Sequence, residues 1–147
     1  MKTPHVRSTQ LAVVSEARKW IGTPYQHQAS LYQVGCDCLG LVRGVWRHLY
    51  GQEPCAIPAY SVDWAERGHG ETLFVAAQKY LDEISPDMAE TGDVLLFRFS
   101  TRHIIKHCAI LTTPHRITHA YWGKCISETA LTPWWQNRIA AAFKFPD

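Results

Sequence analysis

The hydrophobic period of the chain changes at Thr91-Gly92-Asp93, from helical spacing before it to short β-rich runs after it. From Ser8, the apolar positions Leu11, Val14, Ala17, Trp20 and Ile21 predict a helix that Gly22-Thr23-Pro24 stops. Residues 25–37 are polar and glycine-punctuated and read as a loop. A second helix starts near Cys38, with Leu39, Val42, Val45, Trp46 and Leu49 on one stripe and Tyr50-Gly51 at its close. Gly40 and Gly44 share a face of that helix and would let another part of the chain approach closely. Pro54 to Asp63 reads as an irregular crossing, and Glu71 to Glu83 as a third helix with Leu73, Phe74, Ala77, Tyr80 and Leu81 inward. Beyond Asp93 the expected strands are Val94–Phe99, His107–Thr112, Arg116–Tyr121, Lys124–Glu128 and Ala140–Phe145. Their connections are too short for parallel crossovers, so the expected class is α+β with a mainly antiparallel sheet.

Composition narrows the class of protein. The 147 residues are 46% hydrophobic and carry a net charge of +2, which excludes intrinsic disorder. With no repeat or linker in view, residues 1–147 read as a single domain, large enough to need no disulfide or structural metal. Fifteen Lys+Arg against thirteen Asp+Glu, with no basic block, argue against a nucleic-acid partner. No apolar run approaches the ~20 residues of a membrane span. Leu11 to Val14 is too short for a secretory h-region, so synthesis in the cytoplasm without a signal peptide is expected. Five cysteines, an odd number without framework spacing, suit free thiols in a reduced compartment.

Among those cysteines, Cys38 stands where a loop meets a helix N-terminus. Unpaired N–H groups and the helix dipole stabilise a thiolate there. Asp37 opposes this unless it caps the helix or binds a substrate cation. A nucleophilic Cys needs a base, and the base needs a group to orient it. His107 opens one expected strand and His119 lies on the next, so a turn near Thr113-Pro114-His115 can bring the two side by side, with one imidazole nitrogen of His107 left to face Cys38. Each has a plain alternative: a buried small residue for Cys38, structural side chains for the histidines. A metal reading joins Cys36 and Cys38 to His103/His107 or His115/His119, but a single residue between the cysteines is too few for a zinc knuckle, and the His pairs lie in strand or turn sequence. No cofactor or metal is implied. Cys36 is a bystander or a thiol able to oxidise with Cys38; Cys55, Cys108 and Cys125 read as core or half-buried thiols. Trp134-Trp135, in a loop-like stretch, are candidates for a groove wall.

Five segments in order, Gly22-Thr23-Pro24-Tyr25, Asp37-Cys38-Leu39-Gly40-Leu41-Val42, Gly92-Asp93-Val94-Leu95-Leu96-Phe97, His107-Cys108-Ala109-Ile110-Leu111 and Ile117-Thr118-His119-Ala120, resemble the NlpC-type cysteine peptidases. Pro58-Ala59-Tyr60, Asp63-Trp64, Pro133-Trp134-Trp135 and Ala142-Phe143-Lys144-Phe145-Pro146 look like the branch carried in tail modules of bacteriophages and gene transfer agents. The resemblance implies a papain-like α+β fold, a peptidoglycan stem peptide as substrate, and cleavage of the bond from γ-D-glutamyl to a diamino acid such as meso-diaminopimelate. It implies Cys38 as nucleophile, His107 as base and His119 as its orienting partner. Tyr25, with the Cys38 N–H, would hold the oxyanion, and Asp37 would bind the free amine of the stem peptide. The family commonly has Ser after the nucleophile; Leu39 departs from it and bears on substrate range. The tail branch implies tail-tip proteins as partners and action on the wall after delivery by the particle. The rival readings are a structural tail component with an unused site, an amidase, and a lipid acyltransferase. Permuted lipid-active relatives place His before Cys, opposite to the order here.

Overall fold

The computed structural model describes residues 7–54, 71–121 and 123–147. His5, Cys55, His69, most of the expected crossing after Pro54 and the segments Pro58-Ala59-Tyr60 and Asp63-Trp64 lie outside them. Helix α1 spans Ser8–Lys19; strands β1 (Ser30–Leu31) and β2 (Gly35–Cys36) form a small ribbon; helix α2 runs Cys38–Tyr50 and helix α3 Thr72–Tyr80. Strands β3 (Asp82–Ile84), β4 (Val94–Phe97), β5 (His107–Thr113), β6 (Arg116–His119) and β7 (Ser127–Ala130) follow, then the one-turn helix α4 (Pro133–Gln136) and strand β8 (Ile139–Lys144). The last six strands make one sheet in the order β3-β8-β4-β5-β6-β7, every pair antiparallel. Helices before an antiparallel sheet is the α+β architecture expected.

The sheet separates two apolar clusters. Val94, Leu96, Cys108, Ile110 and Phe143 meet α1 and α2 through Val13, Ala17, Leu41 and Val45. Leu95, Phe97, Ala109, Leu111 and Ile117 face the other way, under Leu131, Trp135 and Ile139. With both faces covered, β4 is buried throughout and shows no alternation.

Helix α2 keeps its axis close to its neighbours because of its two glycines. A Cβ on Gly40 would collide with the carbonyl oxygen of Ala29, and one on Gly44 with the Trp20 ring. Its N-cap is Asp37, whose carboxylate accepts from the Gly40 N–H at 2.7 Å.

The structure revises several expected boundaries and faces. Helix α1 forms where expected, but Leu11 and Ile21 are exposed. Its inner row is Gln10, Val13, Val14, Ala17 and Trp20. Gln10 sits inside because its amide donates to the buried Asp93 carboxylate at 3.2 Å, and Asp93 also pairs with Lys144 at 2.8 Å. Residues 25–37 are not all loop, since they hold the β1–β2 ribbon. The third helix ends at Tyr80, and Asp82–Ile84 pairs with β8 as an edge strand. The strand expected at Lys124–Glu128 instead runs Ser127–Ala130, and Pro133-Trp134-Trp135 form a helical turn capped by Thr132. Cys125 is exposed.

Candidate active site

Cys38 is the first residue of α2, where the first-turn N–H groups have no intrahelical partners. Its half-buried thiol packs against the core beside β5. Strongest among its contacts is the Cys108 thiol, which donates to the Cys38 sulfur; the His107 ring and the Cys108 backbone N–H add hydrogen bonds. Together with the charge on His107 they outweigh burial and hold the Cys38 thiol well below its ordinary value. Cys108 is pushed the opposite way, because its proton is engaged by Cys38 and it is buried. The sequence marked Cys108 only as a core or half-buried thiol; alternation along β5 turns it toward α2.

His107, opposite Phe97 in the β4–β5 register, bonds through Nε2 to Nδ1 of His119 at 2.9 Å. The far side of His119, Nε2, lies 3.0 Å from the hydroxyl of Thr129 on β7. Burial, and then the charge of His107, lower the His119 pKa from its ordinary 6.5 to about 3. His119 therefore stays neutral at working pH. A charged His107 must donate from Nε2, so Nδ1 of His119 accepts, its proton sits on Nε2, and Thr129 receives it. Thr129 carried no signal in the sequence, because its role depends on the β6–β7 register, in which Ile117 opposes Thr129 and His119 opposes Ser127.

The two histidines share a face because β5 is irregular. The two-residue turn pairs Thr113 with Arg116; continued without interruption, that register would set His119 opposite Ile110, on the face away from His107. A shift between Leu111 and Thr113 instead pairs Ile110 with Thr118, so the next step sets His119 opposite Ala109, diagonal to His107.

Rings close round the pair. Trp135 lies 5.3 Å from His107 and 5.2 Å from His119, and Phe99 stacks on His107 at 5.9 Å. Both histidines are buried beneath these rings. Trp134, 4.8 Å from Trp135, remains exposed.

Tyr25 is held beside β2 by a bridge to Cys36. Burial, then the charges of Asp37 and Cys38, raise its hydroxyl to about 12, so it keeps its proton and can donate. Asp37 is buried, and its second oxygen accepts from the Gln28 N–H at 2.7 Å while His27 approaches to 4.0 Å. Its carboxylate thus ties the Tyr25–Ala29 loop to the start of α2. Cys36 is fully buried, donates to the Asp37 carbonyl at 3.1 Å and has its pKa raised, first by burial and then by the charges of Asp37 and Cys38. Leu39 lines the apolar space between α2 and α3 with Val42, Trp46, Leu73 and Ala77. Among the described residues, no three His, Cys, Asp or Glu side chains converge to hold a metal.

The arrangement is a low-pKa thiol, an imidazole within reach, a neutral acceptor behind it and a protonated phenol nearby. It can form a covalent acyl intermediate and pass one proton between nucleophile and leaving group.

A model of the NlpC/P60 family matches residues 22–144. The gamma-DL-glutamyl hydrolase of Bacillus subtilis is 24% identical over 139 residues, 94% of this chain but 30% of that protein. The NlpC/p60 domain of the peptidoglycan hydrolase SagA superposes with a TM-score of 0.63 at 25% identity, covering 92% of this chain and 98% of that domain. An NLP/P60 family protein of Staphylococcus aureus, described as similar to lipoprotein, gives a TM-score of 0.63 at 23% identity over 99% of this chain and 44% of that one.

Proposed function

The chain belongs to the NlpC/P60 family, and from that premise we propose that it is a cysteine endopeptidase cleaving peptidoglycan stem peptides at the γ-D-glutamyl–diamino acid bond. The observation that carries the reading is the continuous hydrogen-bonded line from Cys38 through His107 to His119 and Thr129. The gamma-DL-glutamyl hydrolase relative and the SagA domain support the substrate class.

His107 takes the Cys38 proton and the sulfur attacks the γ-glutamyl carbonyl. The Tyr25 hydroxyl and the Cys38 backbone N–H hold the oxyanion. His107, kept in line by His119, gives its proton to the departing amine and leaves a thioester on Cys38. It then takes a proton from water, and the hydroxide released frees the acid. Asp37 enters this reading through the loop that carries Tyr25; the charge it holds under the site is also where a free stem-peptide amine would be drawn.

As a finer reading, the enzyme is a component of a phage-like or gene transfer agent tail, made in the cytoplasm and brought to the wall by the particle. The tail-module resemblance of Pro133-Trp134-Trp135 and the C-terminal Ala142–Pro146 supports it. Immunodetection of the chain in purified particles tests it, and absence from them removes it.

The activity is tested by mass spectrometry of peptidoglycan fragments treated with wild type and with Cys38→Ser. A new diamino-acid amine with wild type alone is the expected result. Release of whole stem peptides would make the protein an amidase, and no cleavage by either would leave the structural reading.

A further inference from the structure

We propose that the open groove between the end of the β6–β7 hairpin and α4 is the leaving-group subsite, and that Lys124 there recognises a free carboxylate of the departing diamino acid. This rests on the endopeptidase reading above. The direction follows from the proton path. The oxyanion lies toward Tyr25 and the Cys38 N–H, whereas the leaving nitrogen must lie against His107, which protonates it. The substrate beyond that nitrogen therefore continues past His107 and His119, away from Tyr25.

What lies there is a groove of about 830 Å³, open mouth included, walled by His119, Tyr121 and Trp134 and edged by Lys124 and Thr132. Tyr121 is 40% exposed and Trp134 45% exposed, so both rings present apolar surface at the groove. The Trp134 ring is braced from behind: the Arg138 guanidinium stacks on it at 3.7 Å and donates to the Trp134 carbonyl at 2.7 Å. The rings offer the aliphatic carbons of a diamino acid an apolar wall. Among the described residues Lys124 makes no ion pair and no acidic side chain lines the groove. Glu128, the nearest carboxylate in sequence, is turned away and held by Arg18 at 2.9 Å and Arg116 at 3.2 Å. An exposed ammonium with no carboxylate partner among the described residues, set beside a rigid ring and next to the catalytic imidazoles, matches an anionic end group.

The experiment compares L-Ala-γ-D-Glu-meso-diaminopimelate with the same tripeptide amidated at both diaminopimelate carboxyls, using wild type and Lys124→Met. The expected result is a drop of about tenfold in kcat/KM for the acid tripeptide in the variant, through KM, and a change within about twofold for the amide. Equal losses on both tripeptides, or none on either, would overturn the carboxylate assignment. The same four combinations are read as binding in a Cys38→Ala background, from the Trp134 indole N–H shift assigned with Trp134→Phe. If wild type cleaves neither tripeptide, the endopeptidase reading fails; this binding arm still decides the subsite. Tighter binding of the acid form that vanishes with Lys124→Met supports it, and equal binding of both forms rejects it.

Discussion

Replacing His119 with Asn should remove an acid weakness that the buried imidazole builds into the fold. The folded protein holds His119 at about 3 against an ordinary value of 6.5. A group whose pKa is depressed on folding contributes stability above its unfolded pKa and loses it as the pH falls toward its folded one, because below 6.5 the unfolded chain takes up a proton that the native state refuses. Each unit is worth about 1.36 kcal/mol, so by pH 4 wild type should have lost about 3 kcal/mol from this residue. That is a large part of the 5–15 kcal/mol that typically holds a domain together. Asn cannot titrate, yet its side-chain oxygen can still accept from Nε2 of His107. The assay is urea unfolding of both proteins at pH 7, 5.5 and 4, read as the difference between them. Acid losses from Glu53 and Glu128, whose carboxyls are also lowered on folding, are common to both and cancel. The difference should move by about 3 kcal/mol in favour of the variant between pH 7 and pH 4. Curves that stay parallel within about 0.5 kcal/mol would show that His119 protonates as easily in the fold as outside it. His119 would then not be held neutral as the acceptor behind His107.

Cys108→Ala removes the thiol donor to Cys38, so alkylation of Cys38 by iodoacetamide, followed by peptide mass spectrometry, should slow about tenfold at pH 6 and converge with wild type at high pH; equal rates at pH 6 would show that Cys108 does not tune the nucleophile. Tyr25→Phe should lower kcat on the acid tripeptide by ~10²–10³ with little change in KM. A loss confined to KM would make Tyr25 a binding contact. Gly40→Ala drives a methyl into the Ala29 carbonyl and should cost about 2 kcal/mol or more in urea unfolding. Stability unchanged would mean the loop before α2 yields freely.

Local patterns in the chain determined much of this molecule. The switch of period at Thr91-Gly92-Asp93 separates helices from antiparallel strands because 3.6-residue and two-residue repeats bury different faces. The placement of Cys38 at a helix start follows from a polar loop running into an apolar stripe. The prospect that His107 and His119 meet follows from two β-rich runs separated by a turn. Tertiary structure decided the rest, wherever a contact depends on register or on a partner distant in sequence. Strand β8 enters between β3 and β4, so the third helix gives way at Leu81 to a strand that pairs with β8. Gln10 displaces Leu11 from the inner row of α1 because Asp93, 83 residues away, needs its amide. Cys108 becomes part of the site only once β5 lies beside α2, and Thr129 only once β7 is registered against β6. The largest difference is the shift between Leu111 and Thr113. A hairpin closed by two residues implies a register that would put the histidines on opposite faces. One extra residue in β5 reverses the parity of every side chain beyond it and turns them toward each other. Local propensity does not encode such a bulge, since its position is settled by which packing the whole sheet can bury.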